Sequence, residues 1–255
     1  MKVTILNKSK NKLIFLIEGV TPSYINTIRR LIIAQVPTMA IEDVEFRQND
    51  SILYDEMLAL RLGLLPLKTD LKSYSLPNEC SCEGAGCAKC QLKLTLKAKG
   101  PKTVYASEIK STDPKVIPVY PETQIIKLLD SQKIELEAVA ILGRGNKHMK
   151  WSPGLASYKG VPIIVAGKNA NKEIVKKNNK IISITGSKVN VTNYLKYNTS
   201  LEQDLEENGF TIDYSDTDYI FTLESWGQLK PMLIIEKAIE EYEKELKLFQ
   251  KIIKK

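Results

Sequence analysis

The last two dozen residues constrain this chain more than any other stretch. After Pro231, apolar side chains recur at Met232, Ile235, Ile239, Tyr242, Leu246, Phe249 and Ile253, at spacings of 3, 4, 3, 4, 3 and 4. That is the a/d repeat of a heptad seam. Pro231 suits the first helical position, where its missing N–H costs nothing. Ile234, Ala238 and Ile252 widen the stripe. The other face runs from acidic (Glu236, Glu240, Glu241, Glu243, Glu245) to basic (Lys247, Lys251, Lys254, Lys255), the order that complements the helix dipole. Glu240–Lys244 and Glu243–Lys247 are expected i,i+4 pairs. A helix of about 24 residues is roughly 36 Å long, and docking onto its own domain covers part of that length. Two readings follow: a long core helix of a large domain, or an interface helix that needs a partner. Burying seven such side chains is worth roughly 10–20 kcal/mol gross, against association costs of ~4–15 kcal/mol.

The second signal is a cysteine window. All four cysteines fall within residues 80–90, as Cys80-x-Cys82-x4-Cys87-x2-Cys90. Four thiolates this close can wrap one tetrahedral ion, with Gly84 and Gly86 supplying the tight turns. Clustering in a chain with no export signal favours a metal, zinc first. One or two disulfides, an iron–sulfur cluster and a metal-free loop are the alternatives. No helix separates the ligand pairs, so the loop is a poor DNA-reading finger. Nor does a βαβ pattern surround Cys87-x-x-Cys90, as thioredoxin-like redox chemistry requires.

Enzyme signatures are otherwise missing. His148 is the single histidine, which excludes HExxH zinc chemistry. No G-x-S-x-G nucleophile context exists, and neither a phosphate loop nor a dinucleotide glycine pattern is present. The net charge is +7, but five of the 37 basic residues are Arg and the rest Lys, a surface poorly suited to bidentate base reading. Residues 168–196 hold seven Lys against Glu173 alone, and residues 200–218 hold seven acids and no Lys; this reads as two solvated faces. No apolar run reaches the ~20 residues of a membrane span, and MKVTILNKSKNK has no signal-peptide core. The expectation is a cytoplasmic protein without membrane contact.

Along the chain, Val3–Leu6 and Leu13–Ile17 read as a strand pair. Thr21 and Pro22 start a helix with an apolar stripe at Tyr24, Ile25, Ile28, Leu31 and Ile32; Arg29 and Arg30 lie off the stripe. The helix ends before Pro37. Ala40–Phe46 is an expected strand and Asp55–Leu62 a second helix, stopped by Gly63 and Pro66. Leu92, Leu94, Leu96 and Ala98 alternate on one strand, and Ile134, Leu136, Ala138, Ala140 and Leu142 on another. Residues 101–121 look irregular, residues 168–180 like a loop or exposed helix, and Tyr219–Glu224 like a strand.

Several stretches together resemble one family. Asn26-Thr27-Ile28-Arg29-Arg30-Leu31 is similar to the N-x-[LI]-R-R signature of the α-like subunits of DNA-dependent RNA polymerases. Asp55 to Leu67, DEMLALRLGLLPL, resembles the hallmark of the larger α-like subunit of archaeal and eukaryotic polymerases. Gly145-Asn-Lys-His148-Met149-Lys150-Trp151-Ser-Pro153 resembles its HAKW-type loop, with Met149 where Ala is usual. The cysteine loop matches that family's zinc loop in position and nearly in spacing. The likeness covers about residues 1–165 and 217–255, and it is strongest to the archaeal members.

The resemblance implies an assembly subunit. Such chains heterodimerise with a smaller α-like subunit (subunit L). With small subunits N and P, the pair forms the platform for the second-largest and largest polymerase subunits. DNA is then met only through the assembled complex. Arg29 and Arg30 would face the second-largest subunit. Met232, Ile235, Ile239, Tyr242, Leu246, Phe249 and Ile253 would join the dimer core, and His148, Lys150 and Trp151 would offer an interface loop. Cys80, Cys82, Cys87 and Cys90 would hold zinc, or be disulfide-bonded, with no catalytic role. No Asp-rich magnesium motif occurs, so catalysis would belong to the complex. Some relatives carry an iron–sulfur domain where residues 166–216 stand. This segment has no cysteine, so no such cluster is expected there. The expected fold is α+β. It has a discontinuous α-like dimerisation domain (1–45 and 217–255) and an inserted mixed β-rich domain (46–165) carrying the four-cysteine loop. A small cysteine-free insertion (166–216) completes it. The rival reading is a free-standing zinc-loop nucleic-acid-binding protein.

Overall fold

Two strands with strict apolar alternation organise half of the molecule. β4 (Gln91–Lys99) and β8 (Lys133–Gly143) bury every second residue, because successive side chains of a strand point to opposite faces. They pair antiparallel with Leu92 opposite Ala140, Leu94 opposite Ala138, Leu96 opposite Leu136 and Ala98 opposite Ile134. Each pair places two buried side chains on the core face. A computed structural model describes residues 1–254; Lys255 lies outside the described residues.

The chain forms two units, each interleaved in sequence: Met1–Arg29 with Ala156–Leu223, and Arg30–Leu155 with Glu224–Lys255. In the second, β3 (Thr38–Asn49), β8, β4 and β6 (Lys110–Ser111) make a four-stranded sheet, and β5 (Lys102–Tyr105) pairs with β7 (Gln124–Leu128). Helix α2 (Asp55–Gly63) buries Leu58 and Leu62 in the core these strands enclose. Gly63 is still helical, and Leu64 caps the end with ordinary right-handed backbone, so the stop is not a left-handed glycine cap; Pro66 follows two residues on and bars continuation. Around Pro101–Pro121 the chain is more regular than its prolines suggest, since β5 and β6 lie there.

A turn in the same unit rests on an aspartate. Asp70 accepts from the Lys72 N–H (2.9 Å), the Ser73 hydroxyl (2.8 Å) and Lys115 Nζ (3.2 Å). These bonds, led by the Lys72 N–H, hold its carboxyl at about 2 instead of 3.8. A carboxyl lowered in the folded state stabilises above its unfolded value and loses that contribution as pH falls through about 2. Melting temperatures measured between pH 5 and pH 2 should fall less steeply for Asp70→Asn than for the wild type.

The first unit carries a six-stranded sheet ordered β1-β2-β12-β9-β11-β10. Its strands are β1 (Lys2–Lys8), β2 (Lys12–Glu18), β9 (Gly154–Ala166), β10 (Ile182–Thr185), β11 (Lys188–Val191) and β12 (Phe210–Ser225), the ends of β9 and β12 passing into the other unit. Phe15 on β2 stacks on Phe221 of β12, centroids 5.1 Å apart. Residues 166–216 form short helices and a hairpin, and one helix falls within the 168–180 stretch. α3 (Glu173–Lys177), the β10–β11 hairpin and α4 (Thr199–Glu207) close a core of Ile164, Val175, Ile182, Val189, Tyr197, Leu201, Leu205 and Phe210.

Helix α1 (Pro22–Ala34) starts as its sequence predicts, with the Tyr24 N–H donating to Thr21 Oγ1 at 3.3 Å. It buries Ile25, Ile28, Leu31 and Ile32, whereas Tyr24 is exposed. Helix α5 (Pro231–Ile253) is the last element of the described chain.

Candidate functional site: the cysteine loop and the C-terminal helix

The cysteine loop follows a 3-10 turn at Pro77–Glu79 and runs directly into β4. Gly84 and Gly86 take φ of 86° and 90°, backbone that only glycine adopts freely. The N–H groups of Glu83 and Ala85 donate to the carbonyls of Cys80 and Cys82, 3.0 Å each, and the Cys90 N–H to the Cys87 carbonyl at 3.0 Å. These turns bring all four Sγ atoms within 4.8 Å of one another. Cys80 and Cys87 sulfurs are 3.5 Å apart, Cys82 and Cys90 3.5 Å, and Cys87 and Cys90 3.8 Å. A disulfide needs ~2.05 Å, so the alternative of one or two disulfides is not what the structure holds: all four cysteines are free. The Cys87 N–H also donates to Cys90 Sγ at 3.2 Å. A hydrogen bond from the Cys90 thiol lowers the Cys82 thiol to about 6, while burial pushes Cys90 up to about 12. The group is a four-sulfur donor set able to close around one metal ion.

Helix α5 divides its apolar residues between two faces. Pro231, Ile234, Ala238 and Glu241 are buried. Met232, Ile239, Leu246, Phe249 and Ile253 are between 44% and 66% exposed, with Ile235 and Tyr242 half-buried. At about 100° per residue, the buried line and the heptad seam lie roughly 90–100° apart. From Glu243 to the end of the described chain every residue is exposed. Glu241, expected on the solvated face, is instead 8% exposed. Its Oε2 accepts from Arg144 Nη2 at 2.7 Å and its Oε1 from Lys244 Nζ at 2.5 Å. Lys244 therefore bonds Glu241 rather than Glu240, which takes Lys237 (2.7 Å).

The same Arg144 nitrogen reaches Glu79 Oε1 at 3.2 Å, one residue before Cys80. One guanidinium thus joins the rim of the cysteine loop to the C-terminal helix. Its turn is tightly seated. A Cβ on Gly143 would meet the Trp151 ring at 2.3 Å, and one on Gly145 the Ile33 carbonyl oxygen at 2.0 Å. Sequence reasoning missed this link. Its one signal was that Glu241 shares the i, i+4, i+7 line of Ile234 and Ala238.

The remaining candidates separate. Arg29 donates to Asn26 Oδ1 from Nε (3.1 Å) and Nη2 (3.0 Å), within its own helix, and Arg30 is exposed. His148 is exposed, its Nδ1 accepting from the Lys150 N–H at 3.1 Å. Lys150 bonds the Ile41 carbonyl (3.0 Å) and Glu42, over the Trp151 ring. Trp151 is buried and donates to the Ile141 carbonyl at 3.3 Å. Arg61 anchors α2 through the Gln124 carbonyl at 2.8 Å.

Residues 41–156, which carry most of the four-stranded sheet and the cysteine loop, match the RNA polymerase Rpb3/RpoA insert domain, which places the chain among the α-like polymerase subunits. The chain is 36% identical over 254 residues to a DNA-directed RNA polymerase subunit Rpo3 of Methanosphaera stadtmanae, covering 94% of each chain. It is 40% identical over 238 residues to the Rpo3 of Methanosarcina acetivorans, covering 89% of this chain and 88% of that one. To the Rpo3 of Archaeoglobus fulgidus it is 33% identical over 259 residues, covering 99% and 97%. The chain belongs to the Rpo3 family of DNA-directed RNA polymerase subunits. Among the described residues, no helix is long and apolar enough to cross a membrane.

Proposed function

We propose that this chain is a non-catalytic assembly subunit of an archaeal-type multisubunit RNA polymerase. It heterodimerises with the smaller α-like subunit L, and with subunits N and P the pair forms the platform for the two large subunits. The observation that carries this reading is the largely exposed seam of α5, an apolar line beside the helix's own buried side. Residues 1–45 and 217–255 act as the dimerisation domain, 46–165 as the inserted domain and 166–216 as an accessory insertion. Arg29 and Arg30 face the second-largest subunit; Arg29 bonds only within its own helix and Arg30 is open to solvent. His148, Lys150 and Trp151 line an interface loop, to which His148 alone brings an unburied ring. The chain works in the cytoplasm and meets DNA through the assembled complex. Co-expression with the smaller α-like subunit should give a one-to-one complex. Tight, steeply salt-dependent DNA binding by the isolated chain would instead favour the free-standing nucleic-acid-binding reading.

The cysteine loop holds zinc in this reading. Four Zn–S bonds of ~2.3 Å in a tetrahedron set sulfurs ~3.8 Å apart; three of the six separations are 3.5, 3.5 and 3.8 Å, and all lie within 4.8 Å, so a small inward adjustment closes the set on one ion. When bound, the ion supplies a cross-link that fixes the loop and takes no part in the reaction; binding it releases the thiol protons. Elemental analysis should give one zinc per chain, with all four thiols slow to react until a chelator is added. Metal-free protein with four immediately reactive thiols would contradict this.

A further inference from the structure

The cysteine loop and helix α5 meet at one side chain. Arg144 Nη2 donates to Glu79 Oε1 at 3.2 Å and to Glu241 Oε2 at 2.7 Å. The Arg144 Nε is shielded from solvent and has no hydrogen-bond partner among the described residues. Two carboxylates therefore place the guanidinium, while the tightly packed Gly143 and Gly145 on either side keep its backbone fixed. Each carboxylate stands at a boundary. Glu79 closes the 3-10 turn and directly precedes Cys80. No residue from Ser81 to Lys89 is buried, so this stretch has no apolar core of its own, and four sulfurs closing on an ion are what would stiffen it. Glu241 is the last buried residue of α5, and from Glu243 onward the helix is exposed. Arg144 thus grips α5 where its covered part ends and the seam residues Leu246, Phe249 and Ile253 begin.

An uncovered helix end opens easily, and a partner that binds it bears the cost of ordering it. We propose that a metal ion in the cysteine loop strengthens binding of the smaller α-like subunit to the α5 seam, through the chain Glu79–Arg144–Glu241. The loaded loop fixes the Glu79 carboxylate, Glu79 fixes the guanidinium, and the guanidinium fixes α5 at Glu241. The effect is reciprocal, so the bound partner tightens metal binding by the same factor. This inference rests on the readings of α5 as the heterodimer seam and of the loop as a zinc site. Its size is limited by the weakest member of the chain. The Glu79 side chain is 52% exposed, and an ion pair this open to solvent contributes little. The expected coupling is about three- to five-fold in affinity.

The test titrates the full, zinc-loaded chain with the smaller α-like subunit by calorimetry, and repeats the titration after a chelator has removed the zinc. The stripped chain should bind about three- to five-fold more weakly. Glu79→Ala, a change at an exposed side chain that leaves all four thiols in place, should bind equally with and without zinc, at the affinity of the stripped wild type. Zinc affinity, measured by competition with the chelator, should rise by the same factor in the wild-type heterodimer and stay level in that of Glu79→Ala. Equal affinity of loaded and stripped wild type would overturn the inference and leave the heterodimer reading standing. The same weakening in wild type and Glu79→Ala would overturn the route through Arg144. No binding by the loaded wild type would overturn the seam reading, and the inference with it.

Discussion

Leu246→Asp combined with Phe249→Asp should weaken binding to the smaller α-like subunit by at least ~100-fold while leaving the chain's own melting temperature within about 2 °C of wild type. Each buried apolar side chain of this size contributes roughly 1.5–3 kcal/mol, and a carboxylate forced into its place adds a desolvation cost. Every 1.4 kcal/mol is about ten-fold in affinity, so two such changes suffice. The chain's own stability is spared because both side chains are exposed in it. Calorimetric titration gives the first quantity and thermal unfolding the second. A collapse of the melting temperature would mean that the seam is internal core.

Arg144→Ala should lower stability by about 2–4 kcal/mol, somewhat less than the ~3–5 kcal/mol for breaking a fully buried ion pair because the Arg144 side chain is 25% exposed. Glu241 stays in place with a side chain 10% exposed, and its other partner, Lys244, is mostly in solvent. For a chain of this size the expected fall in melting temperature is roughly 5–10 °C. Arg144→Met with Glu241→Leu should recover most of it, because a well-packed apolar pair can replace a buried ion pair at little cost. Equal losses in the single and double variants would show that packing of the turn, not the charge pair, matters.

Legibility in the sequence followed the density of the signal. The β4 and β8 alternation is complete over four or five positions, so both core faces were readable. The cysteine turns were readable because glycine stands at both Gly84 and Gly86, where the chain needs positive φ. β12 was half visible: its last third is apolar, but Asp213, Asp216 and Asp218 dilute its exposed start. The accessory insertion was hidden for a related reason. Its core takes one or two residues from each of several short elements, too few per element to show a period. α4 had a signal that its acids obscured: Asn198 caps it by accepting from the Leu201 N–H at 2.9 Å, and Leu201 and Leu205 are buried. On α5 the period was right, but it marked the exposed seam, while the chain's own contact uses the adjacent line through Ile234, Ala238 and Glu241. A hydrophobic period reports that a face is wanted by something; which chain supplies the cover is not written in it.

Hydrogen exchange across Tyr242–Ile253, compared between the isolated chain and the complex with the smaller α-like subunit, tests the central claim most directly. This half-helix has almost no cover of its own, so its amides should exchange quickly in the isolated chain and slow by at least ~10-fold in the complex. Equal exchange in both states, or full protection in a monomer that binds nothing, would contradict the account.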